Sequence, residues 1–150
     1  MPERIVITGP TGAVGMALIQ TYIAHGCEVV ALCHKGSSRN RRLPDSPLLH
    51  AVEMDLDDIT EITASDLPEC DIFYHLAWRG TTGAARNDMK LQTENIASTI
   101  AAVELAKRLD CHTFIGAGSQ AEYGRVEGML TPQTPAFPEN GYGMAKLCAG

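Results

Sequence analysis

"TGPTGAVG" occupies residues 8–15, and its reading decides the fold. It closes a short β-branched run, "RIVITG" (4–9), which predicts a buried strand. It opens "TGAVGMALIQTYIAHG" (11–26), where Val14, Leu18 and Tyr22, with Ile19 and Ile23, recur at helical spacing. Gly26 is suited to end that helix. Gly9, Gly12 and Gly15 stand at G-x-x-G-x-x-G spacing between the two elements. Glycine permits the tight turn, lets backbone approach a pyrophosphate, and allows close helix–strand packing. The helix start then offers free N–H groups and the positive end of its dipole to phosphate. A glycine triplet alone is a weak sign; its place in a strand–turn–helix unit strengthens it.

The same alternation continues outward. "EVVALC" (28–33) predicts a second buried strand, "LLHAVEMDL" (48–56) a third and "DIFYHLAW" (71–78) a fourth. "NDMKLQTENIASTIAAVELAKRLD" (87–110) predicts the longest helix, with Ile96, Ile100, Val103 and Ala106 as its apolar stripe. "CHTFIGAGS" (111–119) predicts a fifth strand. Pro132, Pro135 and Pro138 mark a loop before a helix that begins near Tyr142. Strands alternating with helices imply a Rossmann-like α/β fold, a doubly wound parallel sheet. Ligands of such sheets bind beyond the carboxyl ends of the strands.

Composition excludes other classes. The net charge of −6 opposes nonspecific nucleic-acid binding, which needs a basic surface. No apolar run approaches the ~20 residues that span a bilayer, and the N-terminus has no secretory pattern, so the expected compartment is the cytoplasm. The five cysteines form no C-x-x-C pair and read as reduced, structural thiols. The five histidines have no metal-ligand spacing, so no metal is expected. One segment opposes the global charge: "HKGSSRNRR" (34–42) holds four of the twelve Lys and Arg residues. An NAD site usually places an acid at the end of the second strand, on the ribose hydroxyls. Here that place falls at Cys33, followed by His34 and Lys35. With no carboxylate to repel a 2′-phosphate, and with Lys35, Ser37 and Arg39 able to bind one, NADP is favoured and NAD is the alternative.

Two features near the C-terminus point to chemistry. Ser119 lies just past the fifth strand, at the ligand edge, where a hydroxyl can bond a substrate carbonyl or alcohol. Tyr142 and Lys146 are four apart, so a helix places them on one face. An ammonium beside a phenol favours the phenolate, which suits proton transfer near neutral pH.

"TGPTGAVG" (8–15), "MDL" (54–56), "FYHLAW" (73–78), "TENIAST" (93–99), "GSQAEYG" (118–124) and "YGMAK" (142–146) together resemble the extended short-chain dehydrogenase/reductase family. These are NAD(P)-dependent sugar-nucleotide epimerases, dehydratases and ketoreductases. The resemblance implies that Gly9, Gly12 and Gly15 form the dinucleotide loop, with Thr11, Ala13 and Val14 between them expected to bind the cofactor too; His34, Lys35 and Arg39 are expected at the cofactor on the charge argument above. It implies that Asp55 and Leu56 contact the adenine, Asp55 being otherwise a helix cap. Leu76 and Ala77 match the segment beside the cofactor; His75 reads as a core histidine. Asn95 matches a helix asparagine that helps organise the site. Ser119 and Tyr142 match the catalytic hydroxyls, and Lys146 the partner that tunes Tyr142 and holds the nicotinamide ribose. The family's dehydratases carry an Asp-Glu pair directly after the catalytic Ser/Thr; here Gln120 and Ala121 stand there, so a dehydratase is not expected. Trp78 and Arg79 stand where substrate approaches, Trp78 being equally a packing residue.

The implied function is epimerase or ketoreductase action on a nucleotide-linked sugar. The alternative is a non-catalytic redox sensor or RNA-binding member of the fold. Expected partners are a nucleotide-sugar substrate and a second copy in a homodimer, with neither nucleic acid nor membrane. Residues 1–150 read as one NAD(P)-binding domain carrying the catalytic side chains. With only four residues after Lys146, the expectation is a longer protein whose substrate-binding segment lies beyond Gly150.

Overall fold

The computed structural model describes residues 4–63 and 65–150. The chain divides into two compact units. One runs to Ala77 and resumes over Ala101–Gly116; the other comprises Trp78–Ile100 and Ala117–Gly150.

The first unit holds the sheet. Its strands are β1 (Arg4–Thr8), β2 (Glu28–Cys33), β3 (Leu49–Glu53), β4 (Ile72–His75) and β5 (Thr113–Gly116). All neighbours pair in parallel in the order β3-β2-β1-β4-β5. From β1 the chain winds outward through β2 to β3, then returns to β4 on the other side. This reversal beside β1 is the topological switch point, where open α/β sheets bind ligands. The register sets Thr8 of β1 against His75 of β4, so Gly9 and Leu76 leave the sheet side by side.

Successive strand residues face opposite sides of a sheet, and β1 shows the consequence. Ile5 and Ile7 pack with Ile19, Val29 and Ala31 on one face. Val6 packs with Val30, Leu32 and Phe73 on the other, under Ala102, Leu105, Ala106 and Leu109. Each of the large apolar side chains contributes about 1.5–3 kcal/mol by leaving water. Helix α1 (Ala13–Ala24) ends at His25, and Gly26 follows at φ +78, the left-handed residue that stops it. Its buried residues are Gly15 and Ile19, whereas Val14, expected on the core stripe, is 62% exposed.

Helix α2 (Met89–Arg108) corrects the expected stripe more fully. Ile100 and Val103 are exposed, and the buried line instead starts with Gln92, Asn95, Ser98 and Thr99. The N-terminal half of α2 buries polar groups because they have partners in the second unit, described below. Helix α3 (Gly141–Ala149) begins at Asn140, whose Oδ1 accepts from the Gly143 amide at 2.9 Å, a side-chain N-cap.

The five cysteines are free thiols. Burial pushes Cys33 up to about 11, helped by the Glu53 charge, and pushes Cys111 to about 11 and Cys70 to about 12. Thiols that resist ionisation fit a structural role.

Candidate functional site

The first unit carries the glycine loop. Gly9 has φ +68, and a Cβ there would come 2.8 Å from the Ala77 amide nitrogen. A Cβ at Gly15 would come 2.6 Å from the Gly9 carbonyl oxygen. Both glycines are therefore required by the protein's own packing. Gly12 differs. Its φ of −75 suits any residue, and a Cβ would meet only Gly9 O, at 3.5 Å. Nothing in the protein requires a bare backbone there. The open place lies where α1 starts, and the amides of Ala13, Val14 and Gly15 have no preceding turn to bond to. This is a cradle for a close-approaching anion, and a dinucleotide pyrophosphate fits it.

Thr8 fixes the strand ends beside the loop. Its buried Oγ1 accepts from the amides of Leu76 at 3.1 Å and Ala77 at 3.2 Å. It also hydrogen-bonds His75 Nδ1, 2.9 Å away. His75 is the core histidine that the sequence suggested.

Beyond β2 the structure joins two expected cofactor residues. His34 Nδ1 lies 3.2 Å from Asp55 Oδ1 and 3.0 Å from Lys35 O. Asp55 also precedes the 3-10 turn Leu56–Thr60, with Asp58 Oδ2 accepting from the Asp55 amide at 3.4 Å. Glu53 was missed by sequence reasoning. It pairs with Cys33 across β3 and β2. Its carboxylate accepts from Asn40 Nδ2 at 2.9 Å and from the Gly36 amide at 3.2 Å. Those bonds, with Lys35 nearby, hold its carboxyl below the ordinary range. Lys35 and Arg39 are exposed on the loop that Glu53 ties down.

The second unit carries the three proposed catalytic side chains. Ser119 precedes the 3-10 turn Gln120–Glu122, and its Oγ accepts from the Ala121 amide at 3.2 Å. Glu122 Oε1 accepts from the Ser119 amide. Helix α3 packs directly on this turn, because a Cβ at Gly143 would overlap Ala121 O. Tyr142 and Lys146 are thus presented by a helix seated on the turn that Ser119 caps.

Lys146 is 6% exposed, and its Nζ donates to Ala117 O at 2.6 Å. Burial pushes its ammonium down to about 8, with the Glu122 charge opposing. Its Nζ also lies 3.8 Å from the centroid of the Trp78 ring. Tyr142 is half-buried, with the Arg86 guanidinium 4.5 Å from its ring centroid and the Trp78 ring edge-on at 6.1 Å. Arg86 had no signal in the sequence: it sits in the 3-10 turn Gly83–Asn87, far from the Tyr142 motif. That turn is tied to α3 by Asn87 Oδ1, which accepts from the Gly141 amide at 3.1 Å.

Asn95 is buried, and both ends of its amide serve Arg79. Oδ1 accepts from the Arg79 amide and Nδ2 donates to the Arg79 carbonyl, each at 2.9 Å. It organises the segment after β4 by clamping its backbone. Arg79 Nη2 lies 3.8 Å from Glu94 Oε2. Among the described residues, no group of three or more His, Cys, Asp or Glu is placed to hold a metal, and no helix is long and apolar enough to cross a membrane.

The model of the NAD dependent epimerase/dehydratase family matches residues 5–150. A curated relative, the dTDP-6-deoxy-L-talose 4-dehydrogenase (NAD(+)) of Aggregatibacter actinomycetemcomitans, is 26% identical over 143 residues, covering 95% of this chain and 51% of that protein. Among solved structures, the Bordetella bronchiseptica enzyme WbmG in complex with NAD superposes with a TM-score of 0.83 at 20% identity, over 99% of this chain and 48% of that one. The UDP-Glc/GlcNAc 4-epimerase of Campylobacter jejuni gives 0.83 at 23% identity, over 98% and 46%. The structural likenesses show the fold. The chain spans about half the length of these relatives.

Proposed function

The chain belongs to the NAD dependent epimerase/dehydratase family, and on that premise we propose that it acts in an epimerase or ketoreductase working on a nucleotide-linked sugar. The observation that carries this reading is the buried Lys146 on the helix of Tyr142, seated on the turn capped by Ser119. Residues 1–150 are in this reading the dinucleotide-binding part that also carries the catalytic side chains.

The chain's own residues divide the work. Gly9, Thr11, Gly12, Ala13, Val14 and Gly15 hold the pyrophosphate, Asp55 and Leu56 the adenine, and Leu76 and Ala77 the nicotinamide side. The bound nicotinamide supplies the hydride acceptor and donor. Tyr142 moves the proton of the reacting hydroxyl or ketone, and Ser119 bonds the same oxygen. Its Oγ accepts from the Ala121 amide, so its own proton remains to be donated. Lys146 contributes the positive charge that favours ionisation of a neighbouring phenol. Water elimination is not part of the proposal: Gln120 and Ala121 cannot transfer a proton, and Glu122 is engaged on the Ser119 amide.

Tyr142→Phe keeps the ring and removes the proton-transfer group. Turnover on nucleotide sugars is expected to fall at least ~100-fold with dinucleotide affinity retained. Near-normal turnover would overturn the mechanism. Dinucleotide binding by the unaltered protein without turnover on any nucleotide sugar would favour the sensor instead.

A specific observation supports NADP as the dinucleotide, although the family, the talose dehydrogenase and WbmG are described by NAD. β2 itself ends without an acid, the Glu53 carboxylate beside that end is engaged by Asn40 and the Gly36 amide, and the exposed side chains of Arg39, Arg41 and Arg42 engage no acid among the described residues. Arg39→Ala is expected to weaken NADP at least ~10-fold and leave NAD unchanged, the signature of a lost guanidinium–phosphate bond. Equal loss for both, or tighter NAD binding by the unaltered protein, would refute the preference.

A further inference from the structure

Trp78 belongs to neither the glycine loop nor the Ser–Tyr–Lys set. Its indole is fixed at the edge, where Nε1–H donates to Gln92 Oε1 at 2.9 Å. Gln92 is fully buried, and Oε1 also accepts from Asn95 Nδ2 at 3.4 Å. Gln92 Nε2 spends its two protons on Gly80 O at 3.0 Å and Ala85 O at 2.9 Å. Every polar position of that carboxamide is engaged, so the indole it holds has one orientation. The ring face meets Lys146 Nζ at 3.8 Å, and the ring stands at 85° to the Tyr142 ring. An ammonium has three protons to place. Ala117 O takes one, little water reaches a side chain that is 6% exposed, and the aromatic face offers the attraction that water would otherwise supply.

We propose that Trp78, locked by Gln92, is a positioning residue whose indole face keeps the Lys146 ammonium charged and in place beside Tyr142. It thereby sets the alkaline limit of the pH range in which that pair works; this last link rests on the function proposed above. The charged and titratable groups on the elements packed against Lys146 are few. Glu122 belongs to the turn beneath α3 and Tyr123 caps it, Arg86 lies over Tyr142, and the Glu122 charge favours the Lys146 ammonium. Burial favours the neutral amine, and Glu122 and the indole favour the ammonium.

These 150 residues hold one tryptophan, and with any tryptophan outside them replaced by phenylalanine the emission reports on this ring. In the full-length protein, emission followed against pH is expected to show a transition near 8 that Lys146→Met abolishes. Replacing tryptophan biosynthetically with mono- and then difluorinated analogues changes shape little and weakens the ring's negative face. The midpoint should fall stepwise, by roughly half a pH unit to one unit in all. The alkaline limb of kcat/KM should fall in parallel. A transition that survives Lys146→Met, no transition, or a midpoint indifferent to fluorination would overturn the platform. A midpoint that moves while the limb of kcat/KM stays still would support the platform and overturn the catalytic role of Lys146.

Discussion

Replacing Lys146 by methionine removes a cation that the fold holds at a cost, and the cost has a pH signature. In the folded chain the ammonium titrates at about 8, against 10.5 for the free side chain. Below about 8 both folded and unfolded chains hold the proton, and stability does not respond to it. Between about 8 and 10.5 the folded chain has released the proton and the unfolded chain still binds it. The unfolded state then binds more protons, so stability rises with pH. At ~1.36 kcal/mol per pKa unit, the gain from about pH 7 to about pH 10 is ~2.5 kcal/mol. In a chain of this size that moves Tm by roughly 5–10 °C. The buried thiols work against it. Cys33, Cys70 and Cys111 hold their protons to about 11 or 12 when folded and lose them near 9.0 when unfolded, so they lower stability above about pH 9. Both proteins carry these thiols, so the thiol contribution cancels in the difference between them. The assay is urea unfolding of both proteins at several pH values, read as the wild-type stability minus that of Lys146→Met. The value at neutral pH mixes the lost Ala117 bond with new apolar burial, so the slope is the decisive quantity. A rise of ~2.5 kcal/mol is expected between about pH 7 and about pH 10. A difference independent of pH would show that Lys146 is not held in a desolvated site.

Two glycine variants separate packing from binding. Gly9→Ala places a Cβ at φ +68 against the Ala77 amide and should cost about 1–3 kcal/mol of stability by thermal unfolding. Gly12→Val meets no such obstacle and should cost less than ~1 kcal/mol, while lowering dinucleotide affinity at least ~10-fold in a binding titration. Equal affinity in Gly12→Val would remove the phosphate reading of the loop. Asn95→Leu leaves the Arg79 amide and carbonyl without their buried partner and should cost about 2–4 kcal/mol, measured by denaturant unfolding; a cost below ~1 kcal/mol would show that the clamp is dispensable.

Much of this was legible in the sequence because it depends on local rules. β1 and β2 are runs of apolar and β-branched residues, and β2 (Glu28–Cys33) lies where that run predicts it. The parallel order follows from strands alternating with helices. Tyr142 and Lys146 share a helix face by their spacing alone, and Asn140 supplies the cap that starts the helix. The α2 stripe was not legible. Periodicity scores apolar residues, and that helix buries Gln92 and Asn95, whose hydrogen bonds run to the segment after β4. Glu53 and Arg86 were invisible for the same reason.

By itself the sequence determined the Rossmann-like alternation, the glycine loop and the identity of the Ser, Tyr and Lys side chains, since spacing and residue type suffice for each. Only the tertiary structure decided what surrounds them. Gly12 alone of the loop glycines has space that the protein leaves open. Lys146 is bonded to Ala117, which stands 29 residues earlier, and rests on the ring of Trp78. Whether a lysine is solvated or buried, and which face of an indole it meets, depends on segments that meet only after the chain has folded. That burial, and no feature of the Tyr142 motif, brings the Lys146 ammonium down to about 8.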